Sequence, residues 1–293
     1  MDLELLLAAA LFEDTESLGD LTSLALVPET TQGAAAITAR NNDGVVAGIP
    51  LVSLIVSMID PKLSWEPTLE DADNFTGGTI VGTLRGPACS LLTAERPILN
   101  FLSRLSGIAT STRQFVDAIE GTKASIYDTR KTIPGWRRLE KYAVSCGGGK
   151  NHRTGLFDAV LIKDNHLALG RQGNKPFTPA EAVIRAKEFV QLRFAELTNI
   201  AIPIVEIEVD TLEQLREVLP TEPDIVLLDN MTPAQITEAV QIRDSLCPIV
   251  ELEASGGITL TTVRAIAETG VERISVGALT HSAVSLDFGL DWE

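Results

Sequence analysis

Ile204-Val205-Glu206-Ile207-Glu208-Val209-Asp210 alternates without a break. In an extended strand successive side chains point to opposite faces, so Val205, Ile207 and Val209 share one face and Glu206, Glu208 and Asp210 the other. Ile249-Val250-Glu251-Leu252-Glu253-Ala254-Ser255 repeats the pattern with Glu251, Glu253 and Ser255. The strands of an open parallel sheet are covered by helices on both faces and read as nearly continuous apolar runs. One acidic face per strand therefore points to helices outside and a polar, ligand-filled interior, which favours a barrel.

The flanking sequence agrees. After about residue 120 short apolar strands alternate with helical stretches. ASIYD (124–128), DAVLIKDNH (158–166), DIVLLDN (224–230) and RISVGAL (273–279) read as strands. Helices are expected over 179–197 behind the N-cap Thr178, over 211–219, over 233–246 and from Thr259. This β–α repetition predicts a parallel sheet with right-handed crossovers. Six strands are clear, too few for an eight-stranded barrel. The first third differs: 35–41, 44–49, 63–69 and 78–86 read as strands around a helix at 51–59. From Leu91 to Ile119 the spacing is helical, but Pro97 and Gly107 predict two helices or a kink.

Composition narrows the function classes. The chain has 293 residues and a formal net charge of -16. An acidic chain is a poor candidate for nucleic-acid binding, which favours a basic face; a small anionic substrate stays open, because a local patch sets the local potential. Cys89, Cys146 and Cys247 stand far apart with no CxxC pair, which fits a reducing, cytoplasmic setting without a zinc site or disulfide framework. LELLLAAALF (3–12) lacks a basic flank and reads as a first amphipathic helix. No apolar run approaches the roughly 20 residues of a membrane span.

In parallel α/β folds ligands sit where strands lead into helices. There the sequence puts Thr129-Arg130-Lys131, Lys163-Asp164-Asn165-His166, Glu208, Asp210, Asp229-Asn230, Ser255-Gly256-Gly257 and Gly277-Ala278. Arg130, Arg153 and His152 suit carboxylates or phosphates. Lys163 ends an apolar strand and must be paired or have a lowered pKa. Ser255-Gly256-Gly257 before a helix, with Gly277 one strand later, reads as a phosphate site. Glu208 and Asp229 end consecutive strands and suit magnesium or ribose hydroxyls. Thr129–Arg153 holds seven Lys or Arg residues against the single acid Glu140. Within it Arg137, Arg138 and Lys141 read as a solvated helix face, and Gly147-Gly148-Gly149 as a tight turn.

TRKTIPGWRRLEKYAVSCGGGKNHR (129–153), GLFDAVLIKDNH, VEIEVDTLEQL, DIVLLDNM, LEASGGI and ISVGALTHSA closely resemble the quinolinate phosphoribosyltransferase family. EDTESLGDLTS, ARNNDGVVAGI and ERPILNFLSRLSGIAT match as well, so the resemblance covers essentially the whole chain. It implies an N-terminal α/β sandwich domain over 1–115, joined by 281–293, and an incomplete, seven-stranded parallel α/β barrel over 116–280. It also implies transfer of phosphoribosyl from phosphoribosyl pyrophosphate (PRPP) to quinolinate with decarboxylation, giving nicotinate mononucleotide for NAD biosynthesis, with Mg2+. Arg96, Arg130, His152, Arg153 and Lys163 stand at quinolinate positions, Arg96 reaching the partner's site in a homodimer. Lys131, Glu208, Asp229, Ser255, Gly256, Gly257, Gly277 and Ala278 stand at PRPP positions. Lys163, Glu208 and Asp229 are expected to be catalytic.

Departures from the family pattern are Ile133 for a second threonine, Trp136 for a leucine, Lys150 for a smaller residue, and a longer segment from Gly170 to Ala201. Rival readings are a related protein encoded with molybdate transport systems, a Schiff-base aldolase using Lys163, and a non-catalytic binding protein.

Overall fold

The computed structural model describes residues 3–41, 43–194 and 201–293. The chain divides into two compact units, one of residues 1–113, 132–148 and 279–293, the other of 114–131 and 149–278. Residues 132–148, within the span that the sequence assigns to the barrel, thus group with the N-terminal unit.

The first unit is built on a four-stranded antiparallel sheet. Its order is Phe288–Trp292, Gln32–Ala39, Ile80–Pro87, Ser64–Pro67. Ala35, Ile37 and Ala39 are buried at alternate positions, the period-two signature of a sheet with one covered face. The helix Ile49–Ile59 starts at Gly48, where Asp71 accepts from the backbone N–H groups of Gly48 and Ile49 at 2.8 and 2.9 Å.

Ala88–Ala118 is one helix of 31 residues, so of the two helices or a kink that Pro97 and Gly107 predict, the division into two does not occur. Leu91, Ala94, Ile98, Leu102, Leu105 and Ile108 are buried along one face at three- and four-residue spacing. Burying each large apolar side chain contributes about 1.5–3 kcal/mol, which together outweighs the roughly 3 kcal/mol of an interior proline. Gly107 is a contact, not a break: a Cβ there would lie 2.0 Å from the carbonyl oxygen of Val284.

The basic segment is also ordered by contacts that spacing does not show. In the helix Arg137–Cys146, Lys141 is 3% exposed, against the solvated face expected for it; Arg138 is exposed, and Arg137 donates to Thr132 Oγ1 at 3.0 Å. Glu140, fully buried, accepts from Arg104 Nη2 at 2.6 Å and from the Ile133 N–H at 3.1 Å. Arg104 also donates to the Ala283 carbonyl at 2.9 Å. The lone acid of the segment is therefore the anchor of its own loop.

The second unit holds a six-stranded parallel sheet. Its order is Ser125–Tyr127, Arg273–Ser275, Glu251–Ser255, Ile225–Asp229, Ile204–Val209, Ala159–Ile162. Beyond Ser125–Tyr127 a seventh strand is reduced to a bridge between Tyr127 and Lys150, held by Lys150 N–H to Ile126 O at 2.8 Å and Asp128 N–H to Lys150 O at 3.1 Å. The connecting helices are capped by side chains: Thr178 with Glu181, as the sequence signals, and also Thr211 with Gln214 and Thr232 with Gln235. Pro179–Phe194 forms the long helix, while the expected extension through Leu197 lies outside the described residues. The segment from Gly170 carries a two-residue antiparallel ladder, Arg171–Gln172 against Lys175–Pro176.

Replacing Glu140 by alanine leaves the mostly buried Arg104 guanidinium uncompensated. The expected loss is about 3–5 kcal/mol of unfolding free energy, read by urea denaturation. A loss below about 1 kcal/mol, the worth of a surface pair, would contradict the anchoring role.

Candidate active site

The six-stranded sheet closes on itself. His152, two residues past Lys150, lies five strand steps from Ile204–Val209 along the sheet. At about 4.8 Å per step a flat sheet would separate them by about 24 Å. Instead His152 Nε2 is 3.1 Å from Glu206 and 3.5 Å from Glu253. The sheet is rolled, with these side chains inside it, as the alternation in 204–210 predicts.

Four ionisable groups fill that interior. Glu206 and Glu253 have no exposed surface, and the His152 side chain is 8% exposed. Arg273 Nε donates to Glu253 at 2.7 Å, and its guanidinium lies 3.7 Å from the centroid of the Tyr127 ring. Burial and then the Glu206 charge push the Glu253 carboxyl pKa up. Burial disfavours a charged His152 ring, but hydrogen bonding and charge from Glu206 and charge from Glu253 outweigh it, so its pKa is raised. Buried Asp128 accepts the His152 backbone N–H at 2.8 Å. Asp128, Tyr127 and Arg273 do not stand out by residue type or spacing; the alternation in 249–255 was the one signal for Glu253.

Above this layer the strand ends are polar. Asp229, Ser255, Ser275 and Tyr127 stand in register across four neighbouring strands. Lys163 follows Ala159–Ile162, and its ammonium is paired with Glu208 Oε2 on the adjacent strand. Lys163 is thus the paired case of the two that a lysine at an apolar strand end allows. An ammonium held by a carboxylate is a poor nucleophile, which weighs against the Schiff-base reading. Asp229 Oδ2 accepts from Asn230 Nδ2 at 2.7 Å. Gly256 has φ +101°, and a Cβ on it would lie 2.1 Å from Asn230 Oδ1, so only glycine lets these two strand ends meet. Gly257 is exposed beside it, and Gly277 and Ala278 come one residue after Arg273–Ser275.

The helix expected at Thr259 begins only at Val263 and has five residues. Thr259, Thr261 and Thr262 are tied together by their hydroxyls instead, with Thr259 Oγ1 2.9 Å from Thr261 Oγ1. The helix-dipole part of the phosphate reading therefore falls away, and the exposed Gly256-Gly257 turn remains.

Arg130, Lys131, His152 and Arg153 all belong to the barrel unit. Lys131 is exposed, and its N–H donates to Thr129 Oγ1 at 3.1 Å. Arg153 donates from Nη1 to Ala159 O at 3.4 Å. Burial, and next the charge of Arg130, push the Arg153 pKa down. An anion beside Arg153 would offset these two costs. Asp158 fixes the following loop by accepting from Thr154 N–H at 2.6 Å and Gly155 N–H at 3.0 Å. Arg96 belongs to the other unit, exposed on the long helix, beside a hollow of about 350 Å³ lined by Asp14, Asp20 and Leu21 among others.

Fold and site together define a parallel α/β barrel with polar and cationic groups gathered at its strand ends. Family models for quinolinate phosphoribosyl transferase match residues 20–106 as the N-terminal domain and 108–291 as the C-terminal domain. A nicotinate-nucleotide pyrophosphorylase (carboxylating) of Mycobacterium leprae is 43% identical over 284 residues, covering 96% of this chain and 94% of that protein. A chloroplastic counterpart from rice is 40% identical, covering 99% and 77%. The nicotinate-nucleotide pyrophosphorylase structure from Francisella tularensis superimposes with a TM-score of 0.86 at 37% identity, covering 99% and 95%. The chain belongs to the quinolinate phosphoribosyl transferase family.

Proposed function

We propose that this chain transfers the phosphoribosyl group of PRPP to quinolinate with loss of carbon dioxide, forming nicotinate mononucleotide and pyrophosphate in NAD biosynthesis in the cytoplasm. The observation that carries the reading is the placement of Arg130, Lys131 and Arg153, the Lys163–Glu208 pair and the Gly256-Gly257 turn in the loops of one barrel unit. A dicarboxylate and a sugar phosphate together match those two neighbourhoods.

In this reading Arg130, Arg153 and Lys163 hold the two carboxylates of quinolinate. Guanidinium forks fix a planar carboxylate in orientation as well as position. Lys131 serves the pyrophosphate end of PRPP. Ser255, Gly256, Gly257, Gly277 and Ala278 receive the 5′-phosphate. Glu208 and Asp229 orient the ribose hydroxyls and stabilise positive charge at ribose carbon 1. Each engages one carboxylate oxygen with a neighbour, Lys163 or Asn230, which leaves a second oxygen for a hydroxyl or a cation. Magnesium uses one or two carboxylates with phosphate and water, so this pair fits it. Such an ion would supply charge neutralisation to the leaving pyrophosphate.

The bond from carbon 1 to pyrophosphate breaks and the pyridine nitrogen forms a bond to carbon 1. The ring nitrogen becomes a pyridinium, an electron sink beside the 2-carboxylate. The carbon–carboxylate bond then breaks, carbon dioxide leaves, and a proton takes its place on the ring. Positioning, not covalent catalysis by the protein, is what this step needs.

A homodimer supplies Arg96 to the partner's site. The exposed apolar side chains Leu5, Phe12, Leu18, Leu21, Leu24 and Leu26 near the N-terminus support a subunit contact there. Among the described residues no helix is long and apolar enough to cross a membrane.

Arg130→Ala is expected to cost about 2–4 kcal/mol of transition-state stabilisation in kcat/KM for quinolinate, the loss typical of a desolvated charge-assisted contact. Activity within about twofold of wild type would refute its role. If sites are shared, heterodimers of Arg96→Ala and Lys163→Ala chains regain activity that neither homodimer has. Verified heterodimers with no recovery would count against a shared site.

A further inference from the structure

Two neighbours of fixed polarity hold the His152 ring. On one side the Arg153 backbone N–H donates to Nδ1 at 2.7 Å. A backbone N–H can only donate, so Nδ1 carries no proton. On the other side Nε2 faces Glu206 at 3.1 Å and Glu253 at 3.5 Å. Carboxylates accept, so Nε2 carries the proton. The ring is therefore the neutral Nε2–H tautomer.

The same cluster admits a second reading. Nε2 and one oxygen from each glutamate lie within 4.8 Å of one another, a spacing that a metal ion can bridge. A metal on Nε2 needs a bare Nε2 and a proton on Nδ1. The Arg153 N–H occupies the position that such a proton would take, so the local polarity opposes a metal.

We propose that Glu206 and Glu253 are positioning residues for the quinolinate site: by fixing the His152 tautomer they make Nδ1 the acceptor that pins the Arg153 backbone. This rests on the reading of Arg153 as a quinolinate ligand. His152 then serves as a neutral brace and not as one of the cations that hold the substrate. Among the described residues the charged groups facing it include Glu206 and Glu253 from two barrel strands, Arg273 from a third, and Arg153 next to it in the chain; Asp128, after the Ser125–Tyr127 strand, holds its backbone.

The account has a distinctive sign with pH. Acid adds the second proton at Nδ1, the one open position on the ring. That proton turns the acceptor into a donor and breaks the bond to the Arg153 N–H. Because the two carboxylates raise the ring's pKa, the loss begins above the ordinary imidazole value as pH falls. The KM for quinolinate therefore rises on acidification. A histidine that bound the dianion by charge would give the opposite trend.

The test is 15N NMR of the ring nitrogens in substrate-free protein at pH 8, with KM for both substrates measured from pH 5.5 to 8.5. The chain has three histidines, so a His152→Asn variant assigns the signal. Wild type should show the Nε2–H pattern, and quinolinate KM should rise about tenfold at low pH, the upper end for one lost hydrogen bond. In Glu206→Gln and Glu253→Gln the carboxamide can also donate, so the tautomer should become mixed. Quinolinate KM should then rise at pH 8 while kcat and the KM for PRPP change less than about twofold. A Nδ1–H or doubly protonated ring at pH 8, or a quinolinate KM that falls with pH, would overturn the proposal. Should either variant fail to fold, the wild-type spectrum and pH profile decide alone. Absence of quinolinate turnover would instead remove the functional reading, and the spectrum still decides the tautomer.

Discussion

Everything at the mouth of the barrel stands on the contact between His152 and the two buried glutamates. Carboxylates with no exposed surface are costly to desolvate, several kcal/mol each, unless opposing groups are held against them. Arg273 does this for Glu253, and the His152 ring lies against Glu206, while one buried oxygen of each glutamate makes no hydrogen bond among the described residues. Because His152 lies beyond one edge of the sheet and Glu206 near the other, the same contact rolls the sheet and sets the loop of Asn151 to Arg153. The fold and the substrate pocket thus share one electrostatic constraint.

That constraint organises the layers above it. Asp229, Ser255, Ser275 and Tyr127 share a level because parallel register brings them there. The glycine at 256 lets the loops after Ile225–Asp229 and Glu251–Ser255 touch. Lys163 is presented on its pairing with Glu208. Arg130 and Arg153 are carried on separate segments, and burial together with the Arg130 charge lowers the Arg153 pKa. A local cluster of cations of this kind lets a strongly acidic chain offer one positive patch.

Much of this is legible in the residues. The alternation in 204–210 and 249–255 points to a charged barrel interior, and the polar ends of the strands mark the site. Long motifs name the family without any coordinates. What escapes is whatever depends on partners distant in the chain. Gly107 and Pro97 look like breaks in a helix; the Val284 carbonyl and a long buried stripe keep that helix whole. Lys141 looks like a solvated charge and is buried. Glu140 looks like an exception in a basic run and is the anchor for Arg104 and Ile133. His152 reads from the sequence as one more anion ligand, and its contacts with the Arg153 N–H and the two glutamates come from partners that the spacing does not show.

The central claim is that these strand ends join a dicarboxylic pyridine to a sugar phosphate and then remove one carboxylate. The most direct measurement supplies quinolinate carbon-13 labelled at the 2-carboxylate, together with PRPP and magnesium, and follows both products by NMR. The account predicts labelled carbon dioxide in equal amount to nicotinate mononucleotide, each dependent on PRPP. A nucleotide that keeps the label, or no product from quinolinate, would contradict it.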